Sequence, residues 1–218
     1  MILPVGFYHR PTLDVARELI GKVLVCKSPD GVAAGMIVEA EAYIGEDDPA
    51  CHAAVGRTAR NAPLYGPAGL AYVYLNYGLH DMVNAVTEAA GHPSAVLIRA
   101  LEPVEGLALM RRRRAKAPWR KGKPAVADHQ LCRGPGNLTR ALGITLADNR
   151  RPLTRGRLTI RDEGLTVSPL TWDGRIGIRV GTDRPWRVSV SGHQCVSGVR
   201  SRKSQLGMIG DRPRSSIW

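Results

Sequence analysis

Apolar positions between Thr12 and Ile20 recur at helical spacing. Val15, Leu19 and Ile20 form one stripe, Thr12 or Asp14 offers a cap and Gly21 a stop, so the segment predicts an amphipathic helix. The period then changes. Lys22-Val23-Leu24-Val25-Cys26 is a β-rich run, Pro29-Asp30-Gly31 is a turn signal, and Gly35 to Ile44 is a second strand, which predicts a hairpin over residues 22–44. Alternation in the second strand puts Glu39, Glu41 and Tyr43 on one face and Val38, Ala40 and Ala42 on the other.

The periodicity is lost over residues 45–69, where Gly, Pro, Asp and Arg predominate. A loop this long is usually functional or disordered. Tyr72 to Asn76 predicts a third strand with a turn at Gly78, and Val83 to Thr87 and Ala95 to Ala100 predict the fourth and fifth. Pro103 to Arg114 reads as a helix carrying Leu107, Leu109 and Met110, closed by four arginines that complement its dipole. Residues 115–128 hold Lys116, Pro118, Arg120, Lys121, Lys123 and Pro124 and predict a mobile basic loop. After the Gly134-Pro135-Gly136 turn, Asn137 to Leu142 is a short helix, and Leu158 to Arg161, Arg175 to Val180 and Arg187 to Val190 are strand-like. The tail after Gly198 is basic and Ser-rich and is expected to fray.

With 218 residues, one domain is expected. Hydrophobic content of 44% suffices for a full core, but aromatics at 5% require that core to be aliphatic. The net charge of +12 and pI near 10.1 point to a polyanionic partner, nucleic acid first and an anionic membrane surface second. No apolar run approaches the roughly 18 residues of a membrane span. The start, Met1-Ile2-Leu3-Pro4-Val5, lacks the pattern of a signal peptide, so a cytoplasmic location is expected. Cys26, Cys51, Cys132 and Cys195 are scattered, with no C-x-x-C pair. Free buried thiols are expected rather than disulfides, and a zinc site from such ligands is disfavoured.

Three of the six tyrosines fall in Tyr72-Val73-Tyr74-Leu75-Asn76-Tyr77-Gly78. On a basic chain such rings suit stacking on nucleobases, although a strand facing a sheet core has the same pattern. Alternation sets Tyr72, Tyr74 and Asn76 on one face, and Leu97 and Arg99 on one face of the fifth strand. His52 follows the acidic stretch Glu46-Asp47-Asp48. If these strands are neighbours, a carboxylate, an imidazole, an arginine and stacked rings converge, a set suited to general-base hydrolysis of a bound planar heterocycle.

These residues occur in blocks that resemble a known family. Residues 36–45 (MIVEAEAYIG), Asp48 to His52, residues 56–61 (GRTARN), residues 72–78 with Asn84, residues 97–103 (LIRALEP), residues 131–136 (LCRGPG) with Leu138, Ala141 and Leu142, residues 175–178 (RIGI) and Pro185-Trp186-Arg187 look like the alkyladenine (3-methyladenine) DNA glycosylases of mammals and many bacteria. The resemblance runs from about residue 12 to 197. It implies a monofunctional DNA glycosylase that flips alkylated or deaminated purines from double-stranded DNA and hydrolyses the N-glycosidic bond, starting base excision repair. No metal or other cofactor is implied, and a monomer is expected. Glu41 matches the base that activates water, and Arg99 the residue that holds the water and the carboxylate. Glu39, on the same face, reads as structural. Tyr43, His52 and Tyr74 match the walls of the base pocket. Asn84 matches the residue that disfavours guanine, and Leu97 and Ile176 match apolar positions of the pocket. Tyr77 matches the side chain that intercalates where the nucleotide leaves, and Arg57 and Arg60 match a phosphate-binding loop. Asn76, His80 and Leu64 depart from residues common in the family, which puts substrate range and DNA contacts in question. The lesion preferred among 3-methyladenine, 7-methylguanine, hypoxanthine and ethenoadenine stays open.

The fold implied is α+β, a single mixed domain with a curved, mostly antiparallel β-sheet surrounded by short α-helices, an expectation the hairpin-like strand spacing supports. Residues 1–198 would form the glycosylase domain and 199–218 a basic C-terminal tail. Two rival readings remain: a non-catalytic damaged-DNA binding protein, and a basic RNA-binding or ribosome-associated protein. A lyase step needs an amine nucleophile, and no lysine falls in the matched site blocks.

Overall fold

The computed structural model describes residues 1–117 and 122–198. Eight strands form one antiparallel sheet that curls into a half-barrel: β1 (Val23–Ser28), β2 (Gly31–Ile44), β3 (Ala71–Asn76), β4 (His80–Val86), β5 (Ser94–Glu105), β6 (Leu158–Arg161), β7 (Leu170–Asp173) and β8 (Arg187–Val190). The order is β3-β4-β5-β2-β1-β6. The long strand β2 pairs β5 along one edge, while its first half pairs β1 and its second half pairs β8 on the other. Among the described residues, four α-helices accompany the sheet: α1 (Val5–Tyr8), α2 (Thr12–Leu19), α3 (Leu107–Ala115) and α4 (Pro135–Leu142). The α+β architecture is as expected. Among the described residues no helix is long and apolar enough to cross a membrane.

The aliphatic core lies where α2 and α4 cover one face of the sheet, with Leu19, Leu24, Ile37, Ile98, Leu101, Leu138 and Leu142 fully buried. The 45–69 segment covers part of the other face. It packs Cys51, Ala53 and Leu64 on Tyr72, Val86 and Ala95. It is ordered by two 3-10 turns, His52–Val55 and Ala62–Tyr65, and by the buried Asn61. The Asn61 amide nitrogen donates to the carbonyls of His52 and Gly56, both at 2.8 Å, and its oxygen accepts from the Thr58 amide at 2.7 Å. All four cysteines are free and buried.

Several local expectations change. Neither Thr12 nor Asp14 caps α2: the helix begins at Thr12 behind Pro11, and the Thr12 hydroxyl instead meets Thr87 and Glu88. The helix expected from Pro103 begins at Leu107, because β5 continues to Glu105 opposite Ala34. Gly106 makes the break possible. Its φ is +80°, and a Cβ there would lie 2.2 Å from the Val32 carbonyl oxygen. Helix α4 starts two residues early, with Pro135 in its first turn, where a missing N–H costs nothing. The arginine run does more than close α3. Arg113 donates to the Leu142 carbonyl and to Ser28 Oγ, both at 2.7 Å, and Arg111 pairs with Asp128 at 2.7 Å. Of the expected basic loop, residues 118–121 lie outside the described residues, and 122–127 are irregular. The tail from residue 199 also lies outside them.

Residues 175–180 do not form a strand; the β-structure there is Leu170–Asp173, paired with β8. The Ile176 amide donates to a carboxylate instead of a ladder carbonyl, and Gly177 and Gly181 adopt φ of +83° and +61°.

Candidate active site

A single cross-strand row organises the site. Glu41 on β2 lies opposite Leu97 on β5, Leu97 opposite Asn84 on β4, and Asn84 opposite Tyr72 on β3. Paired residues on neighbouring strands share a face, so four strands project these side chains to one side of the sheet. The alternation seen in the sequence therefore holds across the sheet. Two bulges adjust it. Val38 on β2 and Arg99 on β5 have no opposite residue in that pairing, and the Arg99 side chain reaches both Glu39 and Glu41.

The row leads into a cavity of about 400 Å³. Tyr43, His52, Tyr72, Tyr74, Asn84, Leu97, Arg99 and Ile176 all contribute to its wall. The size falls within the roughly 300–1,000 Å³ of small-molecule pockets. Four rings gather there. His52 stands 4.5 Å from Tyr74, centroid to centroid, and Tyr72 stands 5.3 Å from Tyr74. The His52 Nδ1 lies 2.9 Å from the Tyr72 hydroxyl. Burial, with Arg60 nearby, lowers the His52 pKa, which favours the neutral ring. The Asn84 amide nitrogen donates to the Tyr72 carbonyl at 2.9 Å, which holds the side chain in the cavity wall.

Glu41 is fully buried just behind this wall. One oxygen accepts from the Ile176 amide at 2.7 Å; the other accepts from the Tyr43 hydroxyl at 2.9 Å and from Arg99 Nη1 at 3.2 Å. Burial drives its pKa up, while Arg99, the Ile176 amide and the Tyr43 hydroxyl pull it back. Burial opposes the charge on Arg99, but Glu41 and Glu39 outweigh it and hold the guanidinium ionised. The three donors fix the orientation of the carboxylate behind Tyr43, Arg99 and Ile176.

Tyr43 is buttressed from behind. The Arg175 guanidinium lies 4.6 Å from its ring centroid and 5.2 Å from that of Trp186, and forms a two-point ion pair with Asp48. Both partners are fully buried. Sequence reasoning placed Asp48 and Arg175 in matched blocks but gave them no role; their contact spans 127 positions, which no local pattern reveals. Tyr72 as the partner of His52, and Asn61 as the organiser of the loop, also had no such role in the sequence reading, although the Asn61 contacts are local.

Tyr77 sits at the tip of the β3–β4 hairpin, 86% exposed, with φ of +49°. A bulky side chain in that region is uncommon and marks a position worth a functional reading. Arg57 and Arg60 are exposed. Arg60 donates to the Leu75 carbonyl at 3.1 Å and lies 5.7 Å from the Tyr74 ring, while Arg57 lies 5.6 Å from the Tyr65 ring. Both flank the cavity-lining loop rather than the cavity itself.

Most of the chain is similar to known proteins. Residues 6–194 match the methylpurine-DNA glycosylase family. A protein of Methanocella arvoryzae is 48% identical over 200 residues, spanning 90% of this chain and 96% of that protein. A protein of Burkholderia lata is 44% identical over 205 residues, spanning 93% of this chain and 94% of that protein. One from Rubrobacter xylanophilus is 46% identical over 184 residues, 81% of this chain and 87% of that protein. All three are named provisionally as 3-methyladenine DNA glycosylases.

Proposed function

The chain belongs to the methylpurine-DNA glycosylase family, and we propose that it is a monofunctional DNA glycosylase of base excision repair. It takes an alkylated or deaminated purine out of double-stranded DNA, hydrolyses its N-glycosidic bond and leaves an abasic site. It acts as a monomer, in the cytoplasm at the nucleoid, through a domain ending near residue 198.

The observation that carries this reading is Glu41, a buried carboxylate oriented by Arg99, Tyr43 and the Ile176 amide behind an aromatic-walled cavity on a chain of charge +12. In the proposed reaction the flipped purine enters between Tyr43, His52 and Tyr74. Extrusion costs least for a damaged or mispaired base, which supplies part of the selectivity. Rings on both faces hold the base, and a cationic alkylated purine gains a cation–π contribution. Glu41 accepts a proton from water as that water attacks the anomeric carbon, while Arg99 keeps the carboxylate ionised and fixes its direction. The bond electrons leave with the purine, which alkylation at N3 or N7 has made a good leaving group. Leu97 and Ile176 close the apolar side, and Asn84 stands against the exocyclic amino group of guanine. Tyr77 fills the gap in the duplex, and Arg57 and Arg60 hold phosphates.

The test is cleavage of duplexes carrying one methylated purine, hypoxanthine or ethenoadenine, beside an undamaged duplex and a Glu41→Gln variant. Abasic sites from the native protein and none from the variant are expected, with no adduct trapped by borohydride. Tight lesion binding without cleavage by either protein would make this a damage-binding protein instead. Comparable binding to undamaged RNA with no lesion preference would point to an RNA-binding role.

A further inference from the structure

Behind Glu41 lies a second buried carboxylate with a denser set of partners. Glu39 is fully buried and accepts four hydrogen bonds. One oxygen takes Arg99 Nε at 3.2 Å, Arg187 Nη1 at 3.1 Å and Ser197 Oγ at 2.9 Å; the other takes the Ser197 amide at 2.7 Å. Every partner is a donor, which suits an ionised carboxylate, because that form only accepts.

Arg99 is thereby fixed at three points. Its Nε goes to Glu39, its Nη1 to Glu41 and its Nη2 to Ser197 Oγ at 3.2 Å. The guanidinium cannot rotate toward or away from Glu41 without breaking the other two bonds. Arg187 adds a register detail. It lies directly opposite Glu41 on β8, yet its side chain reaches diagonally to Glu39 and, at 3.2 Å, to Asp173. Glu41, Arg99, Glu39 and Arg187 therefore form a chain of alternating charges, which Asp173 ends at the surface.

We propose that Glu39, Arg187 and Ser197 are positioning residues for the proposed Arg99–Glu41 pair: Glu39 and Ser197 hold the Arg99 guanidinium in plane, and Arg187 offsets the Glu39 charge that Glu41 would otherwise feel. The inference rests on the proposed reading of Glu41 as the base. It gives Glu39 a part in the chemistry where its position on the strand suggested a structural residue alone. Without Arg187, the Arg99 charge is shared between two carboxylates, and Glu41 faces an uncompensated anion in a water-poor setting. Without the Glu39 charge, Arg99 serves Glu41 alone.

The other polar groups around Glu41 come from four elements. Tyr43 lies on its own strand, Arg99 on β5, Tyr74 on β3, and Arg175 and the Ile176 amide in the segment after β7. None of these changes in the variants below.

The experiment is the single-turnover rate against pH for the native protein, Glu39→Gln, Arg187→Gln and Arg187→Lys. The substrate is a duplex with one 7-methylguanine or one hypoxanthine, whichever the native protein cleaves faster. Glu39→Gln should move the acidic limb to lower pH and Arg187→Gln should move it to higher pH. Each displacement should be roughly half a pH unit or more, about threefold in rate on the limb. Arg187→Lys keeps the charge and should restore the native limb. Limbs that coincide in native, Glu39→Gln and Arg187→Gln proteins, whatever the loss of rate, would overturn the proposal. So would shifts in the same direction, or a lysine variant that behaves like the glutamine one. If Glu39→Gln fails to fold, the two Arg187 variants decide alone. Absence of cleavage by the native protein would instead strike the proposed function.

Discussion

The Tyr72 hydroxyl lies 2.9 Å from His52 Nδ1, joining a strand residue to a loop residue across the cavity wall. With His52 neutral, one ring nitrogen donates and the other accepts. If the tyrosine hydroxyl donates to Nδ1, then Nε2–H is the donor left for a bound base or its sugar-phosphate. Tyr72→Phe keeps the ring that fills the second apolar cluster and removes only this bond. Thermal or urea unfolding should show a loss of about 0.5–1.5 kcal/mol. Cleavage of a lesion duplex should fall roughly tenfold, about 1.4 kcal/mol of transition-state stabilisation. An unchanged rate would mean that His52 needs no help in keeping its tautomer.

Glu41 predicts a pH dependence with a definite sign. Burial sets its pKa above the ordinary 4.5, and a base works only when deprotonated. The rate should therefore be flat above the raised value and drop as pH falls through it, at a higher pH than an ordinary glutamate would give. Single-turnover cleavage between pH 4 and 8, on the order of ten points, locates the limb. A limb at or below the ordinary value would show that Arg99, Tyr43 and the Ile176 amide outweigh burial.

Tyr77 is exposed and held at positive φ, a conformation that costs a non-glycine residue about 1–2 kcal/mol. Its ring makes no contribution to the core. Tyr77→Gly removes the backbone cost while making the unfolded chain more flexible. Stability should stay level or rise by up to about 1 kcal/mol, while lesion cleavage falls at least roughly tenfold (about 1.4 kcal/mol). A clear loss of stability would show that the ring packs on the fold rather than serving DNA.

Asp48 and Arg175 support Tyr43 through a fully buried ion pair. Asp48→Asn leaves a buried guanidinium without its counter-charge, and destabilisation of about 3–5 kcal/mol is expected in denaturant titrations. Burial works against the Asp48 charge, but Arg175 and the amides of Ala50 and Ile44 hold its pKa below the ordinary 3.8. A depressed folded-state value means that the stabilisation is present above the unfolded value and is lost as pH falls through the folded one. The native protein should therefore lose this contribution only below about pH 4, and the asparagine variant should show a flatter acid-unfolding profile.

Much of the fold could be read from the chain itself, because its signals are local. Period-two alternation in residues 35–44 and 72–76 has a period set by strand geometry, so Glu39, Glu41 and Tyr43, and Tyr72 and Tyr74, share faces as expected. The stripe of α2, the turn at Gly31 and the hairpin at Gly78 are local for the same reason. The aliphatic core follows from a composition with few aromatics. Block resemblance supplied the candidate site residues, since motif order survives in sequence.

Tertiary structure alone decided how those faces meet. That Leu97 and Asn84 complete the row from Glu41 to Tyr72 depends on which strands are neighbours and in what register. The bulge at Arg99 depends on pairing β5 with β2, and no propensity marks it. Residues 175–180 read as a strand because their composition is β-like, yet the chain gives the Ile176 amide to Glu41, a hydrogen-bond partner 135 positions away. Asp48 with Arg175, Tyr72 with His52, and Glu39 with Arg187 and Ser197 are long-range contacts between polar residues, which read as solvated surface until burial removes the water. The chain thus determined the elements and their faces, because these follow from nearest neighbours. The tertiary fold determined the charges and orientations of the site, because these follow from what is desolvated together.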